Sequence, residues 1–185
     1  MELSKDLTSK MEQSETNLEK ERIAKLLFPD VKSKEYWEEK YPSRELPPEA
    51  KITRFAPSPT GFLHVGGVVM ALLDQAEAKR SGGVFIFRLE DTDRNRLVKG
   101  AEESIHEGLR WVGVYPDESN KGGGNYGPYC QSERLEIYQT FAKELVKQGH
   151  DYPCFCTEEE LKAIRALQEN RKEPRMYSGT CKNLT

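Results

Sequence analysis

The sequence predicts an α/β fold built around two parallel strands, and three observations carry this prediction. Residues 51–56 (KITRFA) are typical of a strand, and residues 66–81 have the apolar spacing of a helix. Residues 84–89 form an apolar, aromatic-rich run, as expected of a strand buried on both faces. A strand, a helix and a second strand in this order form a βαβ unit, in which the two strands run parallel.

The residues before this unit are predicted to form an extension that packs on it. Residues 1–16 are polar, lack helical apolar spacing and are expected to be disordered. Weak apolar spacing follows over residues 18–27, and Pro29 ends it. Ser33 is a candidate cap for a short helix, and the prolines between residues 42 and 48 mark a linker. We expect three aromatic side chains of this region to lie on the main domain: Tyr36, Trp37 and Tyr41.

The remaining helices are predicted from apolar spacing, and glycines mark their ends. The crossover helix of the βαβ unit is expected to stop at Gly82-Gly83, and later helices are predicted over residues 101–112 and 132–148. Gly149 is a candidate C-terminal cap, and Thr157 begins a capping box for a last helix to about residue 169. Helical spacing defines an apolar face in each of the first three helices: Val65, Val69, Leu72, Leu73 and Ala76; Ile105, Leu109 and Val112; Leu135, Tyr138, Phe141 and Leu145.

Composition and charge argue against several classes of protein. The longest near-apolar run, Val65–Leu73, is too short to span a membrane, and the N-terminus lacks the apolar core of a secretory signal. A formal net charge of −3 offers no electrostatic argument for nucleic-acid binding. Four cysteines are too few for a disulfide scaffold. The single residue between Cys154 and Cys156 suggests a metal site in a reducing compartment.

The turn at residues 57–67 (PSPTGFLHVGG) is the first chemistry-bearing motif. It lies between a strand and the start of a helix, where α/β folds bind phosphates because the first helical amides are unpaired. Glycines at positions 61, 66 and 67 let a bulky ligand approach the backbone, and His64 is a donor for a phosphate oxygen. An ordinary loop with a capping histidine would have the same local features.

Three motifs in order resemble those of the glutamyl-tRNA synthetases, a family of class I aminoacyl-tRNA synthetases. Residues 57–67 resemble the family's His-Ile-Gly-His signature, RLEDTD (88–93) follows the second strand, and GPYCQSER (127–134) precedes the long helix. The resemblance covers about Lys51 to Asn183, and residues 18–48 look like the N-terminal extension of some bacterial members.

The resemblance implies the first half of a doubly wound parallel sheet, with a helical N-terminal extension and a small cysteine-containing insertion. The extension would occupy residues 1–50 and would be partly disordered. The N-terminal half of the nucleotide-binding catalytic domain would occupy residues 51–150, and the start of the acceptor-binding insertion residues 151–185.

The resemblance also implies a reaction and the residues that serve it. L-Glutamate would react with ATP, in the presence of Mg²⁺, to give glutamyl-adenylate, and the glutamyl group would pass to tRNA(Glu) in the cytoplasm. Asp91 and Asp93 are expected to order their loop rather than to react. The glutamate pocket would comprise Arg54, Ala56, Ser58 and Glu90, with Glu90 facing the ammonium group. The ATP site would comprise Pro57, Thr60, Gly61, His64 and Gly66, and the catalytic set His64, Gly66 and Gly67.

A second constellation consists of cysteines near the end of the chain. Cys154, Cys156 and Cys181 match three zinc-ligand positions of related bacterial enzymes, but the fourth position is Asn183, whose amide oxygen is a poor zinc ligand. Tyr177 matches a ligand position in the relative that charges a modified tRNA base. A zinc site with Tyr177 as fourth ligand, a zinc site with a different fourth ligand and a set of reduced buried thiols all stay open. Cys130 is expected to be an isolated thiol.

Three hypotheses of function remain. The family's second signature, a Lys-Met-Ser-Lys-Ser-like motif, has no counterpart in this sequence, so we expect the chain alone to be inactive and to work with a C-terminal half. The alternatives are a non-catalytic module that binds nucleotide or the tRNA acceptor end, and the queuosine-directed glutamyl-tRNA(Asp) synthetase. Thr60 and the LEDTD form favour the glutamyl enzyme over the latter. Tyr126 and Tyr129 would either stack on the tRNA acceptor end or pack within their loop.

Overall fold

The computed structural model of the protein describes residues 17–182, which form two compact units. The sheet unit comprises residues 32–138, and the cysteine unit comprises residues 17–31 together with 139–182. The disorder expected for residues 1–16 concerns residues outside the described part of the chain, and so does Asn183. No helix among the described residues has the length and apolar character that a membrane span needs.

The sheet unit contains the predicted βαβ arrangement. Strand β1 (Ile52–Phe55) pairs in parallel with strand β2 (Val84–Phe87), with Ile52 opposite Val84 and Phe55 opposite Phe87. Both strands are shorter than the six-residue runs in the sequence. Phe85 and Phe87 are buried, but the alternate residues of β2 are only half-buried, so the expectation of a strand buried on both faces was wrong for one face. The α/β class itself is confirmed.

Six α-helices accompany the strands in the described part of the chain, and their ends agree closely with the sequence signals. Ser33 accepts a hydrogen bond from the Tyr36 amide, Gly82 ends the crossover helix with φ +68°, and Thr157 forms the predicted capping box with Glu160. The long predicted helix at 132–148 begins instead as a 3₁₀ turn, Gln131–Arg134. The helices are α1 (17–27), α2 (Lys34–Lys40), α3 (Val65–Ser81), α4 (Ala101–Trp111), α5 (Leu135–Gln148) and α6 (Glu158–Asn170).

Helix α3 buries a different face from the one that its apolar spacing indicated. The buried residues are Ala71, Gln75 and Ala78. Small side chains let the helix approach the strands closely, and the Thr53 hydroxyl donates to the Asp74 carbonyl over 2.8 Å. The prediction that the apolar face of α3 is buried was wrong. All five of its residues are exposed: Val65, Val69, Leu72, Leu73 and Ala76.

Helices α4 and α5 differ in how well their spacing predicted burial. In α4, Ile105 and Leu109 are buried as predicted, and Val112 packs against the same core. In α5, spacing identified an apolar face, but the buried residues lie on another one, because burial depends on which neighbours cover the helix. The exposed residues are Leu135, Tyr138, Phe141 and Leu145, and the buried ones are Ile137, Thr140 and Val146.

Candidate active site

The carboxyl ends of β1 and β2 bring the first two sequence motifs to one edge of the sheet. Beyond the strands, the Arg88 amide donates to the Phe55 carbonyl over 3.0 Å, and the Glu90 amide donates to the Pro57 carbonyl over 2.9 Å. The turn at residues 57–67 therefore lies directly beside Glu90, as predicted from the βαβ topology.

The start of α3 leaves its first amides available for an anion. His64 is the N-cap, with extended backbone angles, and among the described residues no side chain caps this end of the helix. The first turn contains no acidic residue, and the first helical bond runs from the Val68 amide to the His64 carbonyl. The amides of Val65, Gly66 and Gly67, together with the positive end of the helix dipole, thus form a site suited to phosphate.

Two glycines at this helix start make room for their neighbours. A Cβ at Gly66 would lie 3.0 Å from Cε1 of His64, so the imidazole lies over the glycine. A Cβ at Gly67 would lie 3.1 Å from the Leu63 side chain and 3.6 Å from the Phe55 ring. Glycine at both positions keeps His64 beside the helix end and the helix end close to the sheet.

A pocket of about 150 Å³ opens beside the turn, and several predicted site residues line it. An apolar wall of Phe55, Phe62, Leu63 and Ile105 forms its base. Among the described residues, Thr60, Ala56 and Gly66 adjoin the lining in sequence without forming part of it. The predicted residues that do line the pocket are Pro57, Ser58, Gly61, His64 and Gly67.

Arg54 and Glu90, the charged pair of the predicted glutamate pocket, contact each other directly. Arg54 Nη1 donates to Glu90 Oε1 over 2.7 Å, and Arg88 Nε donates to the same oxygen over 2.9 Å. The Glu90 side chain is 18% exposed and that of Arg54 is 43% exposed. Both bonds end on Oε1, and the exposed guanidinium of Arg54 keeps further N–H groups for another carboxylate. The bond from Arg88 to Glu90 was not predicted, although the sequence motif that contains both residues was identified.

The two aspartates of the RLEDTD motif order the loop, as expected. Asp91 accepts from the Ser132 amide over 2.9 Å and from the Ser132 hydroxyl over 2.6 Å. Burial acts to raise the pKa of Asp91, but these hydrogen bonds outweigh it, so that the pKa lies below its usual value. Asp93 accepts from Arg96 within the following turn. Asp91 thus joins the loop after β2 to the start of the α5 region.

A buried ion pair near the same edge was not predicted. Arg44 donates to both carboxylate oxygens of Glu118 over 2.7 Å, and the Tyr129 hydroxyl donates to Glu118 Oε2 over 2.7 Å. Tyr126 stacks beneath the Arg44 guanidinium at 3.7 Å from the ring centre. Tyr126 and Tyr129 therefore pack within the sheet unit, the second of the two interpretations that the sequence left open. The only sequence signal for this cluster is the aromatic content of both segments.

Glu118 makes the stability of the protein depend on pH. The hydrogen bonds from Arg44 lower the pKa of Glu118 below its usual value, and burial and Glu118 raise the pKa of Tyr129 to about 12. A depressed carboxyl pKa contributes stability above the unfolded-state pKa, and this contribution is lost as the pH falls through the folded-state pKa. We expect Glu118→Gln to reduce the loss of thermal stability between neutral and acidic pH. An unchanged difference between the two melting temperatures would contradict this assignment.

The four predicted metal ligands lie together in the cysteine unit. The sulfur atoms of Cys154, Cys156 and Cys181 all lie within 4.8 Å of one another, with 3.6 Å between those of Cys156 and Cys181. The Tyr177 hydroxyl lies 3.3 Å from the Cys154 sulfur and 3.6 Å from that of Cys156. Tetrahedral zinc with Zn–S bonds of about 2.3 Å places its sulfur ligands roughly 3.8 Å apart. The donor set and its spacing therefore fit a zinc ion.

The environment of these thiols favours the thiolate at one position. Hydrogen bonding to the Tyr177 hydroxyl and to the Phe155 amide lowers the pKa of Cys181 to about 7. Hydrogen bonds to the thiols of Cys154 and Cys181 raise the pKa of Tyr177 well above its usual value. Cys130 lies outside the cluster, is half-buried, and has a pKa raised by burial.

Comparison with known proteins decides the family. Residues 51–185 match the family described as tRNA synthetases class I (E and Q), catalytic domain. The chain belongs to this family of class I synthetases. The match begins at the first residue of the predicted strand β1 region and includes every candidate site residue named above.

The class I synthetases most similar to this chain include bacterial glutamate–tRNA ligases. The Gloeobacter violaceus ligase is 51% identical over 150 residues, or 81% of this chain and 28% of that protein. The Acetivibrio thermocellus ligase is 52% identical over 152 residues, or 80% of this chain and 28% of that protein. The chain thus spans little more than a quarter of the length of these relatives.

Solved structures of glutamate–tRNA ligases share this fold. The ligase of Elizabethkingia meningosepticum, determined in complex with its amino acid, has a TM-score of 0.60 and 52% identity, and the match covers 68% of this chain and 25% of that one. The Elizabethkingia anophelis enzyme has a TM-score of 0.61 and 53% identity over the same shares. Both similarities agree with a partial doubly wound domain of the class I synthetase type.

Proposed function

We propose that this chain provides the glutamate- and ATP-binding part of a glutamyl-tRNA synthetase. The enzyme would activate L-glutamate with ATP and Mg²⁺ to glutamyl-adenylate and transfer the glutamyl group to tRNA(Glu) in the cytoplasm. One observation carries the proposal: the amide-rich start of α3 and the Arg54–Glu90 pair lie at the same edge of the sheet, joined by the bond from Glu90 to Pro57. Similarity to bacterial glutamate–tRNA ligases supports the choice of amino acid.

The amino-acid side of the site would be built on Arg54 and Glu90. The exposed guanidinium of Arg54 suits the side-chain carboxylate of glutamate, since it binds carboxylates bidentately. Glu90 Oε2 accepts no hydrogen bond from Arg54 or Arg88, both of which bond to Oε1, and would accept from the substrate ammonium group. Ala56 and Ser58 follow Arg54 closely in the chain and would complete the glutamate pocket.

The nucleotide side would comprise the turn and the first turn of α3. The amides of Gly66 and Gly67 and the imidazole of His64 would donate to phosphate oxygens, while Pro57, Thr60 and Gly61 shape the approach of the nucleotide. The glutamate α-carboxylate would attack the α-phosphorus and release pyrophosphate, without a covalent bond to the protein. Catalysis would rest on positioning and on stabilising charge that develops on the phosphate.

The cysteine unit would hold zinc through Cys154, Cys156, Cys181 and Tyr177, and it would form the start of the insertion that contacts the tRNA acceptor end. Three sulfur atoms and one hydroxyl at tetrahedral spacing support this assignment. Zinc would cross-link segments that are separated by more than twenty residues in sequence.

Arg54→Ala and His64→Ala test the two sides of the site separately. We expect Arg54→Ala to weaken L-glutamate binding by roughly ten- to a hundred-fold, the cost of one charged hydrogen bond, and to leave ATP binding unchanged. His64→Ala should weaken ATP binding and leave glutamate binding unchanged. Calorimetric titration of each ligand measures both, and Arg80→Ala is the control, since Arg80 pairs with Glu77 on the surface of α3. Identical effects of the two variants on both ligands would contradict this division.

The Tyr177 contacts support a second candidate, the queuosine-directed glutamyl-tRNA(Asp) synthetase. Tyr177 matches the position at which that enzyme has a tyrosine as a metal ligand. Both enzymes would activate glutamate, so amino-acid binding does not separate them. The acceptor does: the proposed function requires transfer to tRNA(Glu), and the alternative requires transfer to tRNA(Asp) that carries the modified base. Ligand binding without either transfer, in a protein completed to the length of its relatives, would favour a non-catalytic binding module.

A further inference from the structure

Hydrogen bonds and an ion pair join the segment before β1 to the loop that follows α4. We call residues 34–48 the strap and residues 117–131 the edge loop. Tyr41 of the strap donates its hydroxyl hydrogen to the Gly127 carbonyl, and Tyr126 of the edge loop donates to the Pro42 carbonyl over 2.8 Å. Arg44 adds the bidentate pair with Glu118. The strap lies outside the residues that match the synthetase family, which begin at position 51.

The edge loop in turn bonds to the backbone that leads from β2 to Glu90. The Phe87 amide donates to the Glu118 carbonyl over 2.8 Å, and the Leu89 amide donates to the Tyr129 carbonyl over 2.9 Å. The Gln131 amide returns a bond to the Leu89 carbonyl over 2.8 Å. Among the described residues, both backbone hydrogen bonds of Leu89, which precedes Glu90, are therefore made with the edge loop.

Glu118 of the edge loop pairs with Arg44 of the strap in a largely buried position. Its side chain is 11% exposed and that of Arg44 is 14% exposed, so the charge of each is compensated almost entirely by the other and by Tyr129. Gly124 permits this arrangement, because at its φ of +143° a Cβ would collide with the Tyr129 hydroxyl and lie 2.8 Å from Glu118 Cγ. The carbonyls of Glu118 and Tyr129 accept the hydrogen bonds from the amides of Phe87 and Leu89, respectively.

We propose that Arg44 is a positioning residue of the amino-acid site, which acts through Glu118 and Tyr129 to fix the backbone at Leu89 and Glu90. This inference rests on the proposed function for the meaning of the site, and it extends that function to a segment before the matched domain. Without Arg44, the Glu118 carboxylate loses two of its three hydrogen bonds in a buried position. A buried carboxylate that loses its cation is strongly destabilising, and we expect movement of the Glu118 side chain toward water to loosen the main chain that carries it.

Hydrogen exchange of single amides tests the coupling in the 185-residue chain without any substrate. We expect Arg44→Ala to speed exchange at Phe87 and Leu89 by roughly ten- to a hundred-fold. Arg88 should keep its rate, because its amide bonds to Phe55 on the opposite side. Arg44→Lys should keep part of the protection that Arg44→Ala loses, since lysine keeps the charge but cannot bond to both carboxylate oxygens as the planar guanidinium does. Arg80→Ala, which removes another bidentate pair with a glutamate, should change neither amide.

Gly124→Ala provides a second route to the same result, because it displaces Tyr129 and Glu118 without changing any residue of the strap. It should reproduce the faster exchange at Leu89. Wild-type exchange at Phe87 and Leu89 in Arg44→Ala would overturn the proposal. Equal acceleration at Arg88 would overturn it too, because it would indicate general loss of stability.

Titration with L-glutamate and ATP then relates the coupling to the site. Arg44→Ala should weaken glutamate binding by about ten-fold and leave ATP binding unchanged. Equal glutamate affinity in wild type and Arg44→Ala would contradict a role in positioning. If the wild-type chain bound no glutamate, the proposed function would fail, whereas local acceleration at Leu89 would still establish that Arg44 holds this backbone.

Discussion

Cys181→Ser is expected to abolish zinc binding and to unfold α6, whereas Cys130→Ser should change neither. The contrast follows from position, because Cys181 belongs to the cluster of three thiols and Cys130 lies outside it. Helix α6 has no buried residue, so apolar packing contributes little to its stability. Structural zinc contributes an apparent ~10–16 kcal/mol in small zinc-binding domains, and that energy is lost with the site.

Elemental analysis and circular dichroism measure the two effects together. The wild-type and Cys130→Ser proteins should each carry about one zinc ion per chain, as expected for a single four-ligand site, and a strong chelator should remove part of their helical signal. Tyr177→Phe should bind zinc more weakly than wild type if the hydroxyl is the fourth ligand. Zinc-free wild-type protein with four titratable thiols and an intact α6 would support the alternative of reduced cysteines, although Cys154 is exposed and not buried as that alternative expected.

Gly83→Ala is expected to destabilise the sheet unit by about 3 kcal/mol or more, because no side chain fits at this position. A Cβ at Gly83 would collide with the Lys51 carbonyl oxygen and lie 2.7 Å from the Lys51 carbonyl carbon. That carbonyl accepts the first hydrogen bond between the strands, from the Val84 amide. The clash involves backbone on both sides, so neither partner is able to rotate away.

Thermal unfolding checks this prediction, with Gly61→Ala as the matched control. Within residues 17–182, no atom other than those of Gly61 and its two chain neighbours lies within 4 Å of a Cβ at Gly61, and its φ is not in the left-handed region. We expect Gly83→Ala to lower the melting temperature by more than about 10 °C and Gly61→Ala to leave it nearly unchanged. Similar melting temperatures for the two variants would mean that β1 and β2 do not approach each other as described.

Elements with local signals could be predicted from the sequence. Ser33, Gly82 and Thr157 mark helix ends through hydrogen bonds that span only a few residues, and each was located correctly. The order of strand, helix and strand required Pro57 and Glu90 to share one edge of the sheet, since parallel strands end on the same side.

Features that depend on distant parts of the chain could not be predicted in the same way. Arg44 and Glu118 are 74 positions apart, and nothing in the sequence near either residue indicates the other. The exposed face of α3 was misassigned for a related reason: periodicity identifies an apolar face, whereas the two-stranded sheet packs against the small residues Ala71 and Ala78. The bond from Arg88 to Glu90 could not be predicted either, because a side-chain contact between residues two positions apart depends on how the chain turns after β2.

The proposed function requires one edge of the sheet to hold both the amino acid and the nucleotide. Titration of the isotopically labelled chain with a non-hydrolysable analogue of glutamyl-adenylate tests this claim most directly, because the analogue joins both ligands in one molecule. We expect tighter binding than for ATP or glutamate alone, with amide shifts at Gly66, Gly67 and Glu90 together. Shifts at the two glycines without Glu90, shifts at Glu90 without the glycines, or binding confined to the cysteine unit would contradict the proposed function.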